Sequence, residues 1–341
     1  MNQSVDLKLT NMTRNLQEAK ILIWFSHKSI TKTTTTVNLA HAASMQGYRV
    51  CVIDTDGVAA TKMFMDACVE ETEKRINKNK AKVQFLISKG RVVIQNLIDQ
   101  IEYDEFSLEN RPVVITRSLH DLAAEIDFIK RDYAQYDFIF IDVPAKVLDT
   151  KNQPIKELKK LISFSDLAIT PYKCDTQNAV TALTVCDIIE NLKCDAANNG
   201  GKFTTKVRSL LTFDPARIKA NAKKVNDNLT LTDTSTTTAR MARNEQRKAL
   251  KEMDRFEQIK AHIKEFSDAF GEHQKPLAVP LIFRSIYPNQ FNKGQTIYTA
   301  TTDSAKLAQT EFTLVVNAIF EAFEDSDSVE TAETNTITIT N

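Results

Sequence analysis

The segment Ile21–Asp56 reads ILIWFSHKSITKTTTTVNLAHAASMQGYRVCVIDTD. Its first five residues, Ile21 to Phe25, are apolar throughout, the pattern of a strand buried on both faces of a parallel sheet. Arg49 to Asp54, RVCVID, repeats the pattern. Between them a six-residue turn, Ser26 to Thr31, leads into Lys32-Thr33-Thr34 and the helix-length amphipathic stretch Thr34 to Gln46. Strand, short turn, Lys-Thr-Thr and helix is a layout in which backbone N–H groups and a helix N-terminus hold phosphates. In that layout Lys32 reaches the outer phosphates, the Thr33 hydroxyl ligates Mg²⁺ and Thr34 bonds a phosphate oxygen. Asp54 and Asp56 follow at the end of the second strand.

Outward from this segment the same short apolar runs recur in Pro112 to Thr116, Phe138 to Pro144, Leu167 to Tyr172, Val207 to Phe213 and Leu277 to Phe283. Amphipathic stretches such as Leu119 to Tyr133 and Asn178 to Leu192 separate them. This alternation predicts an α/β fold, a doubly wound and mostly parallel sheet with helices on both faces. A third acid, Asp142, closes the run FIFID at a strand's carboxyl edge, where a Mg²⁺-coordinating carboxylate is needed. Thr33, Asp54 and Asp142 are therefore the candidate metal residues.

Two stretches break the rhythm. Glu71 to Lys89 is charged and helix-prone, an insertion or long helix before the third strand. From Lys219 a Thr/Ser/Asn-rich stretch runs into a charged helix that reaches Lys264. The organisation expected is a polar lead-in over residues 1–20, one domain over 21–323 with a helical insertion at about 219–270, and an acidic, Thr-rich tail over 324–341 read as disordered.

Lys+Arg and Asp+Glu both number 44, so the net charge is zero and any charged partner must be met by a local patch. Five cysteines without a C-x-x-C pair support neither a disulfide framework nor a zinc knuckle, and are read as buried small hydrophobes. No stretch reaches the ~20 apolar residues of a membrane span, and no leader is evident. A cytoplasmic protein is expected. The histidines match no metal spacing.

With these residues in view the chain resembles the ParA/MinD family of P-loop ATPases with a deviant Walker A loop, K-G-G-x-G-K-[ST]-[ST]. The resemblance rests on TKTTTTVNLAHAAS, RVCVIDTD, YDFIFIDVP and FRSIYPNQFNKGQTIY, in the family's order and spacing, and covers most of Ile21 to Phe323. It implies Lys32 as the P-loop lysine, Thr33 as the magnesium residue, Asp56 as the carboxylate that positions the attacking water and Asp142 as the second-strand acid. The nucleotide loop it implies is His27, Lys28, Ser29, Ile30, Thr31, Lys32, Thr33 and Thr34. ATP and Mg²⁺ are the implied cofactors. The implied partners are non-specific DNA, a ParB-type adaptor and a second copy of the chain, with no membrane and a nucleoid-associated location.

The loop departs from its pattern. The signature lysine falls on His27, and the three glycines fall on Lys28, Ser29 and Thr31. Keeping a left-handed backbone with a side chain at such a place costs about 1–2 kcal/mol each. Two functions follow from the resemblance: a ParA-like partition ATPase that hydrolyses ATP weakly, or a pseudo-ATPase scaffold that keeps the fold and partner surface. Arg240, Arg243, Arg247, Lys248 and Lys251 form a candidate DNA-contacting patch, or else a solvated helix face. The basic amphipathic C-terminal helix that a MinD-like membrane role requires is missing from the tail, which has no Lys or Arg after Lys306.

Overall fold

The computed structural model describes residues 18–25, 32–144, 155–173, 177–214, 218, 221–229, 237–300 and 302–324. Residues 1–17 of the lead-in, the tail beyond residue 324, Cys174 and the loop residues 26–31 lie outside them.

The apolar run after Ala19 becomes β1 (Lys20–Trp24), whose inner residues are fully buried. It is followed by α1 (Lys32–Met45), β2 (Val50–Asp54), α2 (Ala60–Ser88), α3 (Gln95–Glu109), β3 (Val113–Thr116) and α4 (Leu119–Glu125). After a 3₁₀ turn come α5 (Ile129–Asp132), β4 (Phe138–Asp142), α6 (Lys156–Phe164), β5 (Leu167–Lys173), α7 (Gln177–Asn198) and β6 (Lys206–Phe213). The remainder is α8 (Ala222–Asp227), α9 (Thr237–Phe270), β7 (Lys275–Pro276), β8 (Leu281–Ile282), α10 (Ile286–Phe291) and α11 (Asp303–Glu324).

The strands form one sheet in the order β3-β2-β4-β1-β5-β6-β7, with β8 also on β6, and all these pairings are parallel. The chain builds outward from β1 to β2 and β3, returns to insert β4 beside β1, and then adds β5 and β6 on the other side. The strand order thus reverses at β1, and the crevice beyond the carboxyl ends of β1 and β4 is the topological switch point where such sheets bind ligands.

Alternation along β1 separates the core into two layers. Ile21, Ile23 and Phe25 face the side covered by α4 to α7, while Leu22 and Trp24 face α1 and α11. Truncating a residue such as Ile23 to alanine costs about 2–5 kcal/mol, because the filled site leaves a cavity.

The structure departs from the sequence reading in three places. Leu277 to Phe283 is not one strand: the chain pairs with β6 at Lys275–Pro276, swings out, and returns at Leu281–Ile282. Pro280 has no N–H to give the ladder, which explains the gap. The charged helix after Lys219 is a solvated face only in part. In α9 no residue before Asp254 is buried, but Ile259, Ile263, Phe266 and Phe270 pack onto the same cluster as β5 and β6. Finally, Cys51 and Cys68 are buried as expected, whereas Cys186 is half-buried and Cys194 is exposed on α7. A thiol on the outer face of a two-sided layer has nothing to pack against.

Candidate functional site

The parallel register sets the site. Asp142, the last residue of β4, lies opposite Trp24 of β1 on one side and Asp54 of β2 on the other. The acids that the sequence separates by almost ninety residues therefore share one sheet edge. The first residue of α1, Lys32, meets them there.

Lys32 is buried, and its ammonium donates to the Val143 carbonyl. Burial lowers its pKa, opposed by Asp142 first and then by Asp56 and Asp54. One cation thus faces all three acids.

Asp142 is 3% exposed. Its Oδ2 accepts from the Thr61 hydroxyl at 2.8 Å and the Thr33 hydroxyl at 3.1 Å. Its Oδ1 is buried without a hydrogen-bond partner among the described residues. Burial raises the Asp142 pKa, against the attraction of Lys32 and the two hydroxyl donors. A buried carboxylate oxygen with nothing to accept is costly unless a cation or water meets it. Thr33 and Asp142 are hard oxygen donors on neighbouring elements, and this donor set fits Mg²⁺.

Asp54 is placed differently from Asp142. Its Oδ1 accepts from Asp56 N at 3.0 Å, and its Oδ2 from Thr61 N at 2.9 Å and Lys62 N at 3.1 Å. It caps α2, whose own N-cap residue, Ala59, has no capping side chain and sits at φ 53, the left-handed region. Both oxygens of this candidate metal residue are engaged by the backbone. Asp56 is exposed, and among the described residues its carboxylate accepts one long hydrogen bond, from Val58 N at 3.4 Å.

Two residues of the site have no counterpart in the sequence reading. Thr61 holds Asp142 Oδ2, and Thr55 donates through both N–H and hydroxyl to the Asp142 carbonyl, at 3.0 and 2.9 Å. Thr55, lying between the two aspartates of DTD, carried a signal. Thr61, on the first turn of α2, carried none.

Behind the site α1 is locked by buried polar contacts. Asn38 donates to the Thr34 carbonyl at 2.7 Å and accepts from Ile297 N at 2.9 Å. His41 pairs with Ser107 and Thr296, both at 2.8 Å, and burial lowers its pKa to about 4. The late segment FNKGQTIY is thus tied to the helix that begins at Lys32.

Of the remaining candidates, Thr34 is half-buried at the start of α1, next to Thr33. His27, Lys28, Ser29, Ile30 and Thr31 lie outside the described residues. Arg240, Arg247 and Lys248 are exposed on α9, with Arg243 and Lys251 half-buried, on an element separate from the sheet edge.

A family model described as an AAA domain matches residues 19–199, more than half of the chain and the whole of this constellation. The chain belongs to that family. It is a member of the ParA/MinD class of P-loop ATPases, as the resemblance in its motifs implied. No curated protein matches the sequence. Among solved structures, a McdA–ATP complex from Cyanothece is similar at 14% identity and a TM-score of 0.49, covering 89% of this chain and 96% of that one. A Borrelia burgdorferi B31 protein described as a plasmid partition protein, bound to AMPPNP, is similar at 13% identity and a TM-score of 0.47, covering 89% and 99%. The MinD cell division protein of Aquifex aeolicus is similar at 14% identity and a TM-score of 0.46, covering 92% and 100%. Among the described residues, no helix of this ParA/MinD-class chain is long and apolar enough to cross a membrane.

Proposed function

We propose that this chain is a ParA-like partition ATPase, which positions DNA or another cargo by ATP-dependent dimerisation and non-specific DNA binding. The observation that carries the reading is the convergence of Lys32, Thr33 and Asp142 at the switch point, with Asp142 Oδ1 buried and unpartnered among the described residues. Lys32 would hold the outer phosphates of ATP, and Thr33 and Asp142 would hold Mg²⁺, with Asp54 in support as the residue that fixes α2. Bound Mg²⁺ neutralises phosphate oxygens and so favours the separation of charge in phosphoryl transfer. Asp56, exposed and lightly engaged, would orient the attacking water. The loop His27, Lys28, Ser29, Ile30 and Thr31 would wrap the phosphates, and Thr34 would bond one of their oxygens. A ParB-type adaptor would stimulate turnover, and the exposed basic face of α9 would contact DNA phosphates, placing the protein on the nucleoid.

A second reading, a pseudo-ATPase scaffold, is favoured by one contact. The Lys32 ammonium is seated on the Val143 carbonyl, which takes one of its three N–H donors from phosphate. Assembly tests the proposed function. Sedimentation of the purified chain with Mg²⁺ and ATP is expected to show a dimer, and without nucleotide a monomer. One unchanging species in every nucleotide state would contradict the ATP-driven cycle.

A further inference from the structure

The longest excursion from the core is the hairpin of α2 and α3. All buried residues of α2, from Thr61 to Ile76, lie in its first part, and α3 buries only Asp104 and Ser107. Residues 77–102 therefore stand away from the sheet, and Tyr103, whose hydroxyl donates to the Tyr298 carbonyl at 2.6 Å, marks where the hairpin rejoins the body. Arg75 with Asp104 and Lys80 with Glu105 clamp the two helices together, at 2.7 and 2.5 Å.

The apex is well defined. Gly90, at φ +63, donates to the Ile87 carbonyl, and Arg91 N donates to the Leu86 carbonyl, the paired hydrogen bonds of a Schellman stop. Yet this fixed apex displays Phe85, Ile87, Val92 and Ile94 at 57%, 62%, 90% and 66% exposure. Four large exposed apolar side chains between Phe85 and Ile94, around one turn, are a concentration that soluble proteins rarely present without a binding purpose.

The charge around them is one-sided. From Lys74 to Ile98 the sequence has seven Lys and Arg and no Asp or Glu, in a chain whose net charge is zero. Lys78, Lys82 and Phe85, spaced i, i+4, i+7, fall along one stripe of α2, and Lys89 and Arg91 flank the turn. None of Lys78, Lys82, Lys89 and Arg91 forms an ion pair among the described residues. The order along the arm is carboxylate-paired base, then Lys78 and Lys82 without a carboxylate, then an apolar apex with Lys89 and Arg91 set among its side chains.

We propose that this tip docks on an anionic lipid bilayer, with Phe85, Ile87, Val92 and Ile94 entering the headgroup boundary and Lys78, Lys82, Lys89 and Arg91 meeting lipid phosphates and carboxylates. The complementarity is of charge and of polarity together: apolar groups and cations share one tip, the combination an interfacial anchor uses. Duplex DNA would satisfy the cations but leave the apolar apex in water. The surface is separate from the nucleotide site and from the basic face of α9.

Flotation of the full chain with vesicles tests this. Binding is expected to vesicles of phosphatidylcholine mixed with phosphatidylserine, falling as salt is raised, and not to phosphatidylcholine alone. Phe85→Ser/Val92→Ser/Ile94→Ser and, separately, Lys78→Gln/Lys82→Gln/Lys89→Gln/Arg91→Gln are each expected to weaken it about tenfold or more. Both variants should keep the wild-type circular dichroism, because these residues are exposed. Absence of binding to the anionic vesicles would overturn the proposal, as would wild-type binding by either folded variant. Loss of duplex DNA binding by the lysine variant, with vesicle binding unaltered, would give the tip to nucleic acid instead.

Discussion

The Thr33 hydroxyl donates to Asp142 Oδ2 across 3.1 Å, joining the first turn of α1 to the last residue of β4, 109 positions away. With Thr61 on the same oxygen and Oδ1 unpartnered among the described residues, the carboxylate is held from one side only. Asp142→Asn keeps the shape and removes the charge. It is expected to lower Mg²⁺-dependent nucleotide affinity about tenfold or more while leaving the melting temperature unchanged or higher, since a buried charge is costly. The sign of the pH dependence follows from burial, which raises the Asp142 pKa above the ordinary 3.8. Its contribution to stability is present below 3.8 and lost as pH rises through the raised value, whereas metal binding needs the carboxylate and fails as pH falls through it. Calorimetric titrations with and without EDTA across acid pH check both, and a wild-type metal dependence in the variant would remove Asp142 from the metal site.

Asp56→Ala is expected to leave ATP binding within about threefold of wild type and to abolish turnover, because an orienting carboxylate acts on the transition state and little on the ground state. Phosphate release measured beside binding decides this. Parallel loss of both would place Asp56 among the binding residues.

His41 predicts a pH-dependent stability that has nothing to do with nucleotide. Its folded pKa, about 4, lies below the ordinary 6.5, so its contribution is complete above 6.5 and is lost as pH falls towards 4. The full loss is roughly 3 kcal/mol, from the size of that shift. Urea unfolding at neutral and mildly acid pH should show the slope in the wild type and a flatter one in His41→Gln. An equal slope in both would assign the acid sensitivity to other groups.

The basic face of α9 gives a salt test. Arg240, Arg243, Arg247 and Lys251 are spaced three, four and four apart and so form one stripe, with Lys248 beside it, before the helix joins the core at Ile259. Neutralising Arg243, Arg247, Lys248 and Lys251 should lower the log–log salt slope of DNA binding by about 0.9 for each phosphate the helix no longer neutralises, without affecting folding. An unaltered slope in an anisotropy series would leave the stripe as a solvated or protein-binding face.

Most of the fold was legible in the sequence, because a strand buried on both faces admits only apolar residues and announces itself as a run. ILIW, VCVID and FIFID were readable for that reason, and Lys32, Thr33 and Asp142 were readable because each sits at or just beyond the end of such a run. The hydrogen-bond partners of Asp54 were not. A carboxylate that caps a helix beginning several residues later looks in sequence like any acid at a strand end, and only the backbone path through Ala59 shows which donors it meets. Thr61 was hidden for the same reason. Pro280 did mark the break in the last strand run, but the apolar residues around it outweighed the missing donor.

The most direct measurement is the titration of the purified chain with labelled ATP and Mg²⁺, alongside Lys32→Ala. Among the described residues, the ammonium of Lys32 is the cation that faces Asp142, Asp56 and Asp54 at the switch point, and its removal takes away a charge-assisted bond to phosphate. Saturable, Mg²⁺-dependent binding by the wild type, weakened at least about a hundredfold in Lys32→Ala, is the predicted result. Absence of binding by the wild type, or equal binding by the variant, would contradict the assignment of this sheet edge as an ATP site.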